Sequence, residues 1–337
     1  MAVQMTRRVL AMGLAAAAGL PSAAHAQSNK SLTIYVGFAA GGAVDLYARL
    51  VGKFMAQELG LASAIVQNMP GAGSIEAANR LYNSAPKDGL TIGVLGRGIV
   101  TEPLFENANA RYVPAKFNWI GSPSRENATV LSFGNSKFRT LDDLRKFEMK
   151  VGATGPGAEG YSFSRVLNAV LGTKLRPILG YTGSADILQA LERGEIDGSA
   201  GLSWAAAIRG THPHWVRDKL VHPILQLGQA PFAELEGAPR VMDLIENPAD
   251  KQLYAIFSSR LEYAFPFIAP PGVSQTEVAR LRASFDKAMK NPEFLAEAAK
   301  IALDVNPLSG EEMTVLIDNI FKSDPATLQR AAAIMKP

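Results

Sequence analysis

Glycine-rich loops placed between short apolar runs and helical periods constrain this chain more than any other feature. Residues 32–38 form an apolar strand-like run that breaks at Ala39-Ala40-Gly41-Gly42. Leu46, Leu50, Val51, Phe54 and Leu59 then recur at helical spacing, and Gly60 closes the period. The same order returns at residues 150–153, followed by the loop from Thr154 to Gly160 and a helix over 161–171. Further strand-like runs lie at 64–67, 90–95, 129–133, 176–179, 196–200, 221–227 and 265–269. Ser74 and Thr140 are placed to cap helices, Asp45 and Ser184 to open them. Three helices follow near 275–290, 292–302 and 309–322, the last with capping-box spacing between Ser309 and Glu312. Alternation of this kind predicts an α/β architecture.

At 337 residues the chain exceeds one ordinary core and suits two lobes. Its start reads as a secretory signal peptide: Arg7 and Arg8, a short apolar run over 9–20, then Ala24-His25-Ala26. The run is shorter than the roughly 20 apolar residues that span a bilayer. Cleavage is expected after Ala26, giving a periplasmic, freely diffusing monomer. The chain has no cysteine, which excludes a lipid-anchored cysteine, a disulfide and a thiolate-ligated metal. The formal net charge is +3, with Arg7 and Arg8 in the part to be removed. No basic block is present, so nucleic acid is not an expected partner.

Five segments, in order, carry a family resemblance. Phe38-Ala39-Ala40-Gly41-Gly42-Ala43-Val44-Asp45 with Ala48-Arg49 resembles the P-P-G-G-x-x-D-x-x-A-R opening of the receptors of tripartite tricarboxylate transporters, the TctC or Bug family. Asn68-Met69-Pro70-Gly71-Ala72-Gly73 resembles its N-x-P-G-A-G loop, and Ala85-Pro86-Lys87-Asp88-Gly89 its A-x-P-D-G turn. Gly180-Tyr181-Thr182-Gly183 with Gly194-Glu195-Ile196-Asp197, and Ala269-Pro270-Pro271-Gly272-Val273, follow in family order. Ala39-Ala40 departs from the paired prolines, and Arg97 stands where many members carry a small or hydroxyl residue.

The resemblance implies a type II periplasmic-binding fold: two α/β lobes joined by two crossover strands and closing on a ligand between them. The crossovers are expected at 129–136 and 265–269. That division gives a signal peptide at 1–26, a first lobe of 27–133 plus 265–337, and a second lobe of 134–264. The implied ligand is a small mono-, di- or tricarboxylate, held by loop amides and delivered to a membrane permease or a sensor.

The residues support anion binding on their own. A glycine-rich loop after a strand frees N–H groups, and the next helix N-terminus adds partial positive charge. This occurs at Ala39, Ala40, Gly41, Gly42 and Asp45, and again at Thr154, Gly157 and Glu159. Gly41 is expected to let the backbone approach the ligand. Asp45 reads as a helix cap that shapes its loop; Glu159 favours a helix dipole. Arg97 follows a strand end and is either a bidentate carboxylate clamp or a solvated surface residue. Tyr181, Gly183, Ser199, Ser203 and Trp204 sit near second-lobe strand ends, with Trp204 either a cleft wall or core.

Enzyme readings are weaker. Gly155-Pro156-Gly157-Ala158-Glu159-Gly160 matches the dinucleotide fingerprint in strand–loop–helix context, which keeps an NAD-dependent enzyme as an alternative. But the run at 176–179 ends in Gly180-Tyr181 and not in a ribose-binding acid. Gly201-Leu202-Ser203-Trp204-Ala205 lacks the closing glycine of a nucleophile elbow. His212-Pro213-His214 has no companion ligand for a metal. No catalytic residue, cofactor or metal is expected.

Overall fold

The computed structural model describes residues 28–336, so the expected signal peptide and its cleavage site lie outside the described residues. Its strands are β1 (Ser28–Val36), β2 (Leu61–Asn68), β3 (Thr91–Val94), β4 (Asn118–Ser122), β5 (Ala128–Phe133), β6 (Met149–Gly152), β7 (Leu175–Ile178), β8 (Gly198–Ser203), β9 (Val221–Gln226), β10 (Phe267–Ala269) and β11 (Leu308–Ser309). They form two sheets, one ordered β11-β4-β10-β3-β1-β2 and the other β7-β6-β8-β5-β9. β1 runs parallel to β2 and β3, whereas β10 returns antiparallel between β3 and β4. In the second sheet β6 is parallel to β7 and β8, and β5 is antiparallel to β8 and β9.

The central strands are apolar on both faces because helices cover both. Helix Ala43–Glu58 lays Tyr47, Val51 and Phe54 on the first sheet, where Tyr47 stacks on Phe265 at 4.0 Å and Phe54 meets Phe294 edge-on. Each fully buried aromatic or aliphatic side chain there contributes about 1.5–3 kcal/mol. The second sheet is covered by helix Glu159–Leu171 on one side and Ser184–Glu192 on the other. Thr140 caps helix Leu141–Lys146 in a full capping box with Asp143, and Ser309 does the same with Glu312.

The chain enters the second sheet between Ser122 and Ala128 and leaves it before Phe267. This differs from the expected boundaries. β5, expected as a crossover at the end of the first lobe, is a central strand of the second sheet. The reason is that the crossing segments are polar and pair with each other. Glu126 N–H donates to the Leu261 carbonyl at 2.8 Å, Ala264 N–H to the Ser124 carbonyl at 3.3 Å, and Phe265 N–H to Ser122 Oγ at 3.1 Å. Beside them Arg260 is wholly buried. Its guanidinium donates to Ser162 Oγ at 3.0 Å and to Thr101 Oγ1, and lies over Phe105 and Phe257. One side chain thus ties a segment of each lobe to the hinge.

Two elements have weak sequence signals. Helix Pro248–Ser258 follows an Asn247 cap, and helix Pro325–Met335 an Asp324 cap. The latter was expected with the first lobe. It packs on the turn Pro103–Phe105 of the first lobe and also on helices Glu159–Leu171 and Pro248–Ser258, where Tyr161 Oη donates to the Met335 carbonyl at 3.2 Å and Arg165 Nε to the Ile334 carbonyl at 2.7 Å. Among the described residues no helix is long and apolar enough to cross a membrane.

Candidate functional site

A cleft of about 730 Å³, solvent at its mouth included, opens between the carboxyl ends of the two sheets' strands. Three helices of eight or more residues begin at its wall: Ala43–Glu58 from the first lobe, Glu159–Leu171 and Ser184–Glu192 from the second. Their N-termini concentrate free N–H groups and partial positive charge on one space. Phe38 and Phe265 supply apolar wall.

The lobes touch along two seams. At the first, Ala39 N–H donates to the Thr182 carbonyl at 3.0 Å and Ala43 N–H to Ser184 Oγ at 3.2 Å. At the second, glycines let backbone meet backbone. A Cβ on Gly73 would lie 2.6 Å from the Ala158 nitrogen, one on Gly155 2.5 Å from the Ala72 carbonyl carbon, and one on Gly98 1.9 Å from the Gly157 oxygen. The glycines of the dinucleotide-like fingerprint therefore serve other contacts. Gly155 and Gly157 face the 71–74 loop of the opposite lobe, where a pyrophosphate would have to lie, and Gly160 packs its helix on β6.

Arg97 crosses the second seam. It is 6 % exposed, and its Nε donates to Glu159 Oε1 at 2.9 Å. Nη2 reaches the Gly201 carbonyl at 3.4 Å, while Nη1 is buried without a hydrogen-bond partner. Gly201 explains that carbonyl's direction. It is the extra residue where the β5–β8 register shifts, with φ +114°, and a Cβ there would sit 2.5 Å from Glu159 Cβ. Such a bulge re-aims the backbone, and glycine accepts the left-handed angle. Thr154 Oγ1 is a second buried, unpartnered polar atom on the wall.

Of the residues expected in the site, Gly42, Arg97, Thr154, Glu159, Ser199 and Ser203 line this cleft. Ala39, Gly157 and Gly183 lie at the seams. Ala40 and Gly41 are exposed. Gly41 is required by its φ of +84°, and the position of its Cβ is open, so close approach is not the reason for this glycine. Tyr181 is half-buried beside the second lobe's small core and outside the lining. Trp204 is core, its indole N–H donating to Glu234 Oε2 at 3.0 Å.

Asp45 is not the cap residue; Gly42 holds that position. Asp45 reaches back from the first turn and accepts from Gly41 N–H, Arg49 Nε and Asn68 Nδ2, each at 2.9 Å. Asn68 also donates to the Phe38 carbonyl at 2.9 Å. Burial pushes the Asp45 carboxyl upward, but these hydrogen bonds prevail and hold it below the ordinary range. The three side chains fix the loop's shape, which is why an acid, an arginine four residues on and a distant asparagine belong together. Ser74 likewise does not cap. It adopts φ +82°, and its Oγ accepts from Gly96 N–H at 2.9 Å, positioning the turn that carries Arg97.

Among the described residues no group of three acidic, histidine or cysteine side chains is placed to hold a metal. His212 instead packs at a tilt against Trp215, ring centroids 4.4 Å apart.

This architecture is that of two-lobed periplasmic binding proteins. No family model matches the chain. A UPF0065 protein in the gbd 5′ region of Cupriavidus necator is 22% identical over 95% of this chain and 93% of its own. A second UPF0065 protein, from Agrobacterium vitis, is 33% identical over 58% of each. The solved structure of periplasmic binding protein BugD matches with TM-score 0.73 and 19% identity, covering 90% of this chain and 98% of its own. MatC from Rhodopseudomonas palustris, solved with bound malate, matches at 0.69 and 20%, over 91% and 99%. A further R. palustris protein, solved with adipate, matches at 0.70 and 18%, over 90% and 97%. In sequence and in fold the chain resembles Bug- and TctC-type solute-binding proteins, as its loop motifs imply.

Proposed function

We propose that this chain is an exported, periplasmic solute-binding protein that captures a small organic carboxylate by closing its lobes and presents it to a tripartite tricarboxylate-type permease. The observation that carries this reading is Arg97. Its buried Nη1 has no partner, it stands on a wall made by both lobes, and three helix N-termini face the same space. Relatives of the same fold have been solved with malate and with adipate. A ligand that bonds both lobes only when they meet shifts the population toward the closed form.

A thermal-shift screen of the chain from Gln27 onward against organic acids tests this. An acid at 100 times its dissociation constant is expected to add about 2.7 kcal/mol of stability. A shift with NAD and with no acid would reverse the reading in favour of an enzyme.

Closure has its own test. Gly98 lies in a 3-10 turn that any residue adopts, so Gly98→Ala clashes with the Gly157 carbonyl and otherwise makes an ordinary contact with Arg260. Small-angle scattering of the wild type is expected to show a smaller radius of gyration with the captured acid. The variant should stay near the ligand-free value and bind about tenfold more weakly. Equal compaction of both proteins would dismiss this seam as the closing contact.

A further inference from the structure

The charge balance of the cleft does not suit every carboxylate. Arg97 and Glu159 are the charged residues of its wall among the described residues, and they are paired. A third charge lies just behind. Glu126 belongs to the first crossing segment, is 6 % exposed, and has neither carboxylate oxygen in a hydrogen bond. From the cleft side the Arg97 guanidinium attracts it and the Ser203 hydroxyl is the side-chain donor that reaches toward it. Arg97 is already engaged by Glu159 through Nε and by Gly201 through Nη2. Arg209, on the other side, is engaged by Glu234 and Asp304. Glu126 thus has no cation of its own.

A buried acid facing no more than one hydroxyl is costly, and a ligand that supplies a stronger donor recovers that cost on binding. A ligand carboxylate at the same place would meet repulsion. Nη1 of Arg97 offers one end of a ligand a carboxylate site; Glu126 offers the other end an acceptor. We propose that Glu126 is a recognition group of this cleft and that the captured acid carries a nitrogen donor, an ammonium or a primary amide, opposite its carboxylate. This rests on the carboxylate reading above and narrows it away from plain di- and tricarboxylates.

Isothermal titration of the mature chain tests it with matched probes. These are the straight-chain diacids with two, three or four methylenes, their half-amides, and the amino acids of equal length. In at least one length the nitrogen-bearing probe should bind about tenfold tighter than the diacid. Glu126→Gln should weaken the ammonium probe and strengthen the diacid, moving their ratio by about a hundredfold. Glu126→Asp, which keeps the charge, should keep the preference. A diacid that binds wild type as well as its nitrogen analogues, or a ratio that Glu126→Gln leaves unmoved, overturns the role of Glu126 while the carboxylate reading stands. If no acid of any series binds, both readings fall together.

Discussion

Arg97→Gln is expected to weaken capture of the acid by about a hundredfold or more while the protein still folds. The guanidinium offers its unpartnered Nη1 at a buried point of the cleft wall. A charge-assisted bond there is worth about 1.5–3 kcal/mol, and losing it also exposes the ligand carboxylate to Glu159 unopposed. The variant should also be less stable, because Glu159 loses the partner it holds at 2.9 Å in a nearly buried position. The two effects separate in the double variant Arg97→Gln/Glu159→Gln. Removing both charges should return most of the melting temperature without returning affinity. Arg97→Lys should fall between, since an ammonium keeps the charge but not the planar fork that serves Glu159, Gly201 and a ligand at once. Titration of the four proteins with the same acid, alongside thermal melts, reads both quantities. Wild-type affinity in Arg97→Gln would remove the cleft from the binding reaction.

Much of this arrangement was legible in the sequence because backbone demands write themselves into residue type. The strand–glycine–helix order marked both loops whose helices begin at the cleft, and Arg97 was found at a strand end. Thr140 and Ser309 announced caps that form as full capping boxes. Gly201 was less visible: a glycine inside a strand signals a bulge, and it here turns a carbonyl toward Arg97. What stayed hidden depends on partners distant in the chain. Asp45 looked like a cap because its actual partner, Asn68, lies a strand away. Ser74 looked like a cap because nothing local shows Gly96 reaching its hydroxyl. The hinge was placed one strand late because the apolar run of β5 is conspicuous, and the polar segment before it reads as an ordinary loop. Glu126 lies in that segment, where a glutamate between arginine and asparagine gives no hint of burial.

The seams also explain why affinity and shape should be linked. Ser74 stands on the turn after β2, Arg97 and Gly98 on the turn after β3, and each touches either the second lobe or a residue that does. A ligand bound at Arg97 therefore acts on the pair that bridges the lobes. Arg260 supplies the other constraint, bonding both Thr101 and Ser162 at the hinge. In the proposed capture, closure would be rotation about this polar pivot, with glycine-lined edges as its stop.

Glu126→Gln should make the ligand-free protein more stable in alkaline solution, by about 3 kcal/mol above pH 7. Burial is the largest influence on this carboxyl and pushes it from 4.5 up to about 7; Arg97 and Ser203 pull it back only in part. A raised acid binds more protons folded than unfolded, so stability falls as pH climbs from about 4.5 through 7 and levels off beyond. Below that window the carboxyl is protonated in both states and the cost is absent. Glutamine keeps the shape without the charge. The two proteins should therefore match near pH 4.5, separate through pH 7, and run parallel above it. Glu102, also driven up to about 7 by burial against the pull of Arg260 and Asn107, adds the same slope to both curves and leaves their difference intact. Urea midpoints at pH 4.5, 6 and 8 measure that difference. Equal midpoints at pH 8, or a less stable variant there, would mean that Glu126 is satisfied within the free protein, and the acceptor waiting for a ligand's donor would be gone.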